Sequence, residues 1–212
     1  MPRAGLDAAV VTAAAAGLAD ENGLAQLSMS TVADRLGVKP PSLYKHVAGL
    51  PDLTRRIAAL AAAELTEELA DATRGHTGRE ALVAAARTVR RYVQLHPGRY
   101  AATTGSRPAD ADDPLATALD LSLAAFVTVL RDYGLDPADE VHALRMLRSM
   151  LHGFATLEVS GGFQLGTDVN ESFTWMIDFL DQGLRARASG GGGRAVGGNG
   201  RAVVDGGGAA AR

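Results

Sequence analysis

Four neighbouring polar side chains have the chemistry of a nucleic-acid contact. They are Ser42, Tyr44, Lys45 and His46, which carry a hydroxyl, a phenol, an amine and an imidazole. Groups of these types form hydrogen bonds with phosphate oxygens and with the edges of bases. Leu43 and Val47 stand four residues apart in the same stretch, which is the spacing of one helix face. We therefore expect a short helix that buries these two apolar residues and presents the polar ones outward.

The other reactive residue types show no spacing typical of a catalytic or metal site. The five histidines form no H-E-x-x-H motif and no other pair four residues apart, and cysteine is absent. No Gly-x-Ser-x-Gly motif or phosphate-binding loop occurs, and the glycines from Gly190 to Gly208 neither follow a strand nor open a helix. The sequence therefore predicts a protein that is not an enzyme and has no catalytic residues, metal site or cofactor.

Two prolines set the direction in which the short helix is presented. A preceding helix is expected to begin within residues 28–30, where serine hydroxyls can cap it, and to end at Gly37. A residue before proline is displaced from α geometry, whereas proline suits the first helical position. We accordingly expect Lys39 and Pro40 to be non-helical and the new helix to span Pro41–Val47, about two turns or roughly 10 Å. This arrangement fits a helix-turn-helix, although an ordinary corner between two helices is the alternative.

A wider pattern around this segment favours the helix-turn-helix. The chain carries, in order, Val32-Ala33, Leu36-Gly37-Val38, Ser42-Leu43-Tyr44 and His46-Val47. With these residues in the matching places, the stretch from about Leu6 to Leu65 resembles the DNA-binding domain of the TetR family of bacterial regulators. The resemblance implies a homodimer that binds a double-stranded DNA operator.

The resemblance also implies contacts for individual residues. The expected DNA-binding residues are Thr31, Lys39, Pro41, Ser42, Tyr44, Lys45 and His46. Tyr44 and Thr31 match positions that contact phosphate in the family, and Lys39 and Ser42 lie near a helix N-terminus, which favours an anion. The chain departs from the family at Leu50, where a lysine is usual, and at the two prolines, which replace hydrogen-bond donors. Arg55 and Arg56 are expected to be available as compensating charges.

Helical periodicity runs through most of the 212 residues and predicts an all-α fold. We expect a three-helix DNA-binding domain at residues 1–50, a larger helical effector-binding and dimerisation domain at 51–187, and a Gly-rich disordered tail at 188–212. The net charge of -3 restricts any DNA contact to a local patch. Since no segment reaches the roughly 20 uncharged apolar residues of a membrane span and no signal peptide is evident, a cytoplasmic protein without a membrane partner is expected.

The last two helices carry more apolar residues than one buried face requires. One is expected to begin at Asp136-Pro137, to reach about Val159 and to be the longest, and the other to run from about Asn170 to Arg187. Pairing of these helices across a symmetric dimer explains both apolar sets, and the family implies the same pairing. Two central helices of a monomer are the alternative. The expected interface residues are Leu147, Leu151, Phe154, Phe173, Trp175, Ile177 and Leu180.

A regulator needs a cavity through which an effector can favour one arrangement of its DNA-binding parts. The expected lining residues are Val93, Tyr100, Phe126, Met146, Met150 and His152. The run from Leu147 to Phe154, followed by Leu157-Glu158 and Gly161-Gly162-Phe163, resembles the WHG-type regulatory domain of some TetR-like proteins. The resemblance spans about Arg79 to Leu184, although the tryptophan expected before His152 is missing. His152 is also interpretable as a hydrogen-bonded packing residue, with Gly153 allowing close helix approach. The methionines and the scarcity of charge favour an apolar or aromatic effector.

These expectations combine into one predicted function. A homodimer would place its two short helices in successive major grooves, roughly 34 Å apart, on a near-palindromic operator. It would act as a repressor that a small effector releases from DNA. The alternative is a helical dimer that binds small molecules or other partners without specific DNA binding.

Overall fold

The structure, a computed structural model, describes residues 5–190, and this part of the chain contains helices but no strand. Its α-helices are α1 (Ala8–Asn22), α2 (Met29–Leu36), α3 (Pro40–Leu43), α4 (Leu50–Thr73), α5 (Gly78–Leu95), α6 (Pro97–Gly105), α7 (Pro114–Arg131), α8 (Pro137–Val159) and α9 (Val169–Gly190). The predicted all-α fold is confirmed. Residues 188–190 of the expected tail belong to α9, and the rest of that tail lies outside the described residues, as do residues 1–4.

Side-chain caps fix where the helices begin. Ser28 Oγ accepts a hydrogen bond from Thr31 N at 3.1 Å and starts α2. Asp136 Oδ1 accepts from Ala138 N at 2.9 Å and starts α8, with Pro137 in its first turn. Both starts confirm the sequence prediction. The prediction that α8 is the longest helix was wrong: α8 has 23 residues and α4 has 24, because the Ala-rich and Glu-rich run of α4 continues to Thr73 without a breaker.

Two hydrophobic cores share α4. The N-terminal core joins α1, α2 and α3 to the first half of α4, to α6 and to the start of α7, and its buried side chains include Val32, Leu43, Leu53 and Ile57. The C-terminal core joins the second half of α4 to α5, α7, α8 and α9. Residue 50, the expected domain boundary, is thus the first residue of a helix that contributes side chains to both cores.

A close contact between α1 and α6 joins the two cores a second time. A Cβ atom on Gly98 would lie 2.0 Å from the Ala19 carbonyl oxygen, so only glycine fits there without movement of the backbone. Next to it, Asp20 accepts a hydrogen bond from Arg99 N at 2.9 Å, and its other oxygen lies 3.1 Å from His96 Nδ1. The first turn of α6 is therefore held against the end of α1.

The side chain of Arg99 extends this contact to α4. Its Nε lies 2.9 Å from Asp20 Oδ2, but not in hydrogen-bond geometry, so the contact is an ion pair. Its NH1 donates to both carboxylate oxygens of Glu64 at 3.1 Å, and the Tyr92 hydroxyl donates to Glu64 Oε2 at 2.8 Å. Burial and the neighbouring Glu64 carboxylate raise the pKa of Tyr92 above its usual range, so the phenol keeps its proton.

A polar cluster fastens α9 to the end of α7. The Tyr133 hydroxyl donates to Asp181 Oδ1 at 2.7 Å, and Arg185 Nε donates to Asp181 Oδ2 at 2.9 Å. Burial acts to raise the pKa of Asp181, but the hydrogen bonds from Arg185 and Tyr133 outweigh it and the pKa is lowered. The cluster therefore holds a buried carboxylate in its charged form.

Among the described residues, α7 is the one helix that is long and apolar enough, by length and composition alone, to cross a membrane. It packs against α4, α5 and α8, and it buries Leu115, Phe126 and Leu130. These contacts account for part of its apolar character.

Candidate nucleic-acid interface and effector cavity

The turn between α2 and α3 has the geometry that the two helices require. Gly37 adopts the left-handed conformation (φ 66°), and Val38 N donates to Ala33 O at 3.0 Å, which closes α2. Lys39 is extended (ψ 145°) and starts α3. The turn consists of Gly37, Val38 and Lys39, and it sets the angle between α2 and α3.

The short helix α3 differs in detail from the sequence prediction. It begins at Pro40 and not at Pro41, because neither of the first two helical positions needs a backbone N–H and both prolines therefore fit. Regular α-helix ends at Leu43, and His46 N then donates to Leu43 O at 2.9 Å in a tighter turn. Leu43 and Val47 are buried as predicted, so α3 and the following turn form one anchored unit. We call residues 39–47 the recognition segment.

The recognition segment presents positive charge to solvent. Tyr44 is 58% exposed, Pro41, Lys39 and Lys45 are also exposed, and Ser42 and His46 are half-buried. Lys39 and Lys45 are the only lysines in the sequence. Neither forms an ion pair with any residue between 5 and 190. Free cations beside an exposed phenol are suited to phosphate contacts.

Thr31 is exposed, but its hydroxyl already has local partners. Its Oγ1 donates to Ser28 O at 2.9 Å and accepts from Ser28 N at 3.1 Å, which completes the capping box of α2. A phosphate contact from this hydroxyl would therefore replace a hydrogen bond of the cap.

Arg55 and Arg56, expected as compensating charges, are directed at carboxylates. Arg56 Nε lies 3.1 Å from Asp52 Oδ2, and Arg55 lies 3.4 Å from both Asp52 Oδ1 and Asp113 Oδ2. Burial acts to raise the pKa of Asp52, but hydrogen bonds from Ala48 N and Arg56 lower it on balance. Both guanidinium groups are thus paired with carboxylates. The recognition segment, by contrast, keeps the positive charges of Lys39 and Lys45 unpaired within residues 5–190.

A cavity of about 420 Å³ lies in the C-terminal core between α4, α5, α6, α7 and α8. Of the predicted lining residues, Tyr100, Phe126 and His152 line it. The other three lie elsewhere: Val93 is buried in the core, Met146 is 39% exposed, and Met150 is half-buried on another face of α8. The sequence could not distinguish the faces of α8, because each carries apolar residues at helical spacing.

His152 is both a packing residue and a wall residue of the cavity. Its Nδ1 lies 3.1 Å from the Tyr100 hydroxyl, and the two rings lie 5.7 Å apart. Burial raises the pKa of Tyr100, and the nearby Arg148 partly offsets this effect. The pair offers a polar contact on the cavity wall.

Two functional candidates at the cavity were missed by the sequence analysis. Arg145 and Arg148 line it from α8, together with Ser149 and His152. These residues are spaced i, i+3, i+4 and i+7, so they form one polar stripe on the helix. The four residues have this helical spacing in the sequence, but the apolar residues that lie between them make the polar stripe hard to recognise.

Most of the predicted dimer-interface residues belong to the core of the protomer, which corrects their assignment. Leu147, Leu151, Phe173, Ile177 and Leu180 are at most 4% exposed within the single chain. They face inward because the packing of α8 and α9 against α5 buries this side of each helix. A partner subunit cannot reach side chains buried in this way.

The outer faces of α8 and α9 carry a different apolar set. Trp175, from the predicted interface, is 70% exposed and stacks on Phe179, which is 58% exposed. Phe154 is half-buried between Phe163 and Phe173. On α8, Leu157 is 50% exposed. We call the surface formed by Met146, Gly153, Leu157, Trp175, Phe179 and Gly183 the outer face.

Comparisons with protein families match both parts of the chain. Residues 11–46 match the family described as bacterial regulatory proteins, tetR family. Residues 82–180 match the family described as Tetracyclin repressor-like, C-terminal domain. The recognition segment up to His46 falls within the first match, and α6, α7, α8 and most of α5 fall within the second.

Similar proteins match over most of the chain. The uncharacterized HTH-type transcriptional regulator Rv0681 of Mycobacterium tuberculosis is 36% identical over 174 residues, which cover 82% of this chain and 79% of that protein. The structure of BioQ from Mycobacterium smegmatis is 25% identical, with a TM-score of 0.67, over 86% of this chain and 99% of BioQ.

Solved complexes with the same fold are also among the similar structures. One is BioQ with its natural double-stranded DNA operator (TM-score 0.64, 23% identity), and it covers 86% of this chain and 99% of that one. Another is a TetR variant from Acinetobacter baumannii AYE in complex with minocycline (TM-score 0.65, 26% identity), with coverage of 86% and 99%.

Proposed function

This chain belongs to the TetR family of bacterial transcriptional regulators, and we propose that it is a homodimeric repressor that a small molecule releases from a near-palindromic operator. The observation that carries the proposal is the recognition segment, which holds both lysines of the chain and leaves them unpaired within residues 5–190. The DNA-bound structure of BioQ supports the choice of a DNA duplex as partner. The bound minocycline in the related TetR structure supports a small-molecule effector.

DNA contact is proposed to begin with the positive charges of the recognition segment. Lys39 and Lys45 neutralise phosphates, and the exposed Tyr44 hydroxyl donates to a phosphate oxygen between them. The recognition segment contains only one turn of regular helix, so few of its side chains can reach base edges. One copy would bind weakly, and specificity requires a second copy on the same duplex.

The outer face is proposed as the surface that pairs two subunits. Trp175 and Phe179 stack at a centroid distance of 5.6 Å and stand exposed in the single chain. A Cβ atom on Gly153 or Gly183 would meet no atom within 4 Å in the protomer, so both glycines leave room for a partner's side chains. Exposed aromatic residues beside small residues are typical of interface centres. A symmetric pair of such faces would bring α8 and α9 of two subunits together.

Effector response is proposed to pass through α6. Tyr100, Thr103 and Thr104 of this helix line the cavity, and Gly98 of the same helix touches α1. A ligand that moves α6 therefore shifts the N-terminal core relative to the C-terminal core. This shift changes the spacing of the two recognition segments in a dimer. The ligand can lower operator affinity only to the extent that it binds one spacing more tightly than the other.

The proposal is tested by measuring the binding of the purified protein to its own upstream DNA at several salt concentrations, with a shuffled duplex as control. Tight, sequence-dependent binding with two protomers per site is expected. Substitution of Lys39→Ala and of Lys45→Ala should each weaken binding and reduce the slope of log affinity against log salt by about 1.8, because each removes one phosphate contact from both protomers. Tyr44→Phe should weaken binding without changing this slope.

Arg87→Ala is the matched control, because Arg87 is an exposed arginine on α5, away from the recognition segment. This variant should bind DNA as the wild type does. An unchanged affinity and salt slope in both lysine variants would mean that the recognition segment does not contact DNA. Equal binding to the specific and shuffled duplexes would favour a dimer without specific DNA recognition at this locus.

A further inference from the structure

The charges around the effector cavity are all of one sign. Arg145 and Arg148 line it, and no aspartate or glutamate does. Neither arginine forms an ion pair or hydrogen bond with any residue in the described range 5–190. Elsewhere in this range arginines are commonly paired, as Arg90 is with Glu158 and Arg79 with Asp178. The cavity therefore has two cations available to a ligand.

The rest of the cavity wall is mainly apolar. Its large apolar residues come from four helices: Leu65, Val89, Leu119, Phe126 and Leu151. Hydroxyl groups are interspersed among them on Thr103, Thr104, Ser122 and Ser149. The volume of about 420 Å³ lies within the range of roughly 300–1,000 Å³ typical of small-molecule sites. The wall thus suits a ligand with an apolar body and one charged end.

We propose that the cavity binds an amphipathic organic anion, a carboxylate or sulfonate attached to an aromatic or aliphatic body. The acid group binds between Arg145 and Arg148, and the body lies against Phe126 and the leucines of α4, α7 and α8. The Tyr100 and His152 pair provides a hydrogen bond at the polar edge of the body. This inference deepens the proposed function, and only its effect on DNA release rests on that function.

Charge and geometry favour an anion over a neutral or cationic ligand. Guanidinium groups bind carboxylates through two parallel hydrogen bonds, and such charged contacts are stronger than neutral ones. Arg145 and Arg148 stand three residues apart on α8, which places both on the same side of the helix. Arg148 is also close enough to Tyr100 to act on its pKa, so positive charge reaches the cavity wall. A cationic ligand would meet two like charges there.

The test uses 8-anilinonaphthalene-1-sulfonate, an anionic aromatic dye, and Nile red, a neutral one, with the full-length protein. The double variant Arg145→Gln/Arg148→Gln keeps polar, unbranched side chains but removes both charges. It should bind the anionic dye on the order of tenfold more weakly or worse, while its affinity for Nile red stays within about twofold of the wild type. Arg145→Lys/Arg148→Lys should retain an intermediate affinity for the anionic dye, and the control Arg87→Ala should match the wild type.

Competition then identifies the charge of the preferred ligand. Dodecanoate should displace the anionic dye at lower concentration than dodecanol, and dodecylamine should be the weakest competitor. Equal displacement by the acid and the amine would overturn the proposal. So would unchanged anionic-dye affinity in the glutamine variant, or binding of neither dye to the wild type.

DNA binding is measured on the same samples without dye, which separates this inference from the proposed function. Loss of anionic-dye binding in the glutamine variant with DNA binding unchanged supports the anion site. A wild type that binds the anionic dye through these arginines but fails to bind DNA overturns the proposed regulator function and leaves the anion site supported.

Discussion

The contact between Gly98 and α1 gives the sharpest test of how the two cores are joined. In Gly98→Ala, the new Cβ atom would lie 2.0 Å from Ala19 O and 2.6 Å from Asp20 N. Both are backbone atoms, so no flexible side chain can rotate away. Gly98 does not have a positive φ, so alanine itself is compatible with the backbone there. The steric clash is therefore the dominant effect of the substitution.

The size of the effect follows from the distance that must open. Real Cβ contacts essentially never fall below 3.0 Å, so α6 and α1 must separate by about 1 Å at this point. Forcing extra atoms into a packed contact costs about 1–3 kcal/mol. For a protein of this size, about 2 kcal/mol corresponds to a Tm lowered by about 4–8 °C. The displacement also loosens the hydrogen bonds of Asp20 to α6. Because this contact is proposed to position the recognition segment, operator affinity should fall together with the stability of the protein.

Gly105→Ala in the same helix is the matched control. A Cβ atom on Gly105 would meet no atom within 4 Å, and its φ is not positive. Alanine there should leave stability unchanged or raise it by up to about 1 kcal/mol, because it restricts the unfolded chain. Thermal unfolding followed by circular dichroism gives the Tm of each variant, and fluorescence anisotropy with labelled operator DNA gives its affinity.

The reasoning would be refuted if Gly98→Ala unfolded within about 1 °C of the Gly105→Ala control and bound the operator equally well. That result would mean that α6 is not held tightly against α1. A lower Tm with full operator affinity would support the close contact between α6 and α1. It would also show that this contact does not position the recognition segment.

Three further predictions concern other parts of the molecule. Asp181→Asn should cost about 1–3 kcal/mol at pH 7, because a buried charged acceptor is lost. Because the pKa of Asp181 is lowered in the folded state, its contribution is present above the usual carboxyl pKa of about 3.9 and is lost as pH falls through the lowered pKa, so the difference in urea stability between the two proteins should shrink as the pH falls below about 3.9. Amine-directed reductive methylation should modify only Lys39, Lys45 and the N-terminus, and peptide mass spectrometry should find both lysines protected by operator DNA but not by a shuffled duplex. Trp175, the single tryptophan, is 70% exposed in the protomer, so its emission should shift to longer wavelength on dilution if the dimer dissociates. Phe179→Ala should move this transition to higher protein concentration without lowering the helix content, and a dilution-independent emission in both proteins would remove the outer face from the dimer interface.

Local patterns in the sequence were sufficient for much of the fold and for the recognition segment. Caps such as Ser28 and Asp136 act within one helical turn, so their effect is visible in a few neighbouring residues. The same is true of Leu43 and Val47, whose spacing alone indicates which face of the recognition segment is buried. The start of α3 at Pro40 was missed because two prolines fit the first turn equally well.

The tertiary structure decided the features that depend on which helix faces which. Leu147 and Trp175 both belong to apolar sets with helical spacing, yet one is buried in the protomer and the other is exposed. Ion pairing between distant residues was equally invisible, since Arg55 lies 3.4 Å from Asp113 while Arg148 stays free beside the cavity among the described residues. Periodicity determines that a helix has a buried face, but the packing of α8 against α5 and α7 determines which face lines the cavity, because that choice depends on side chains distant in sequence.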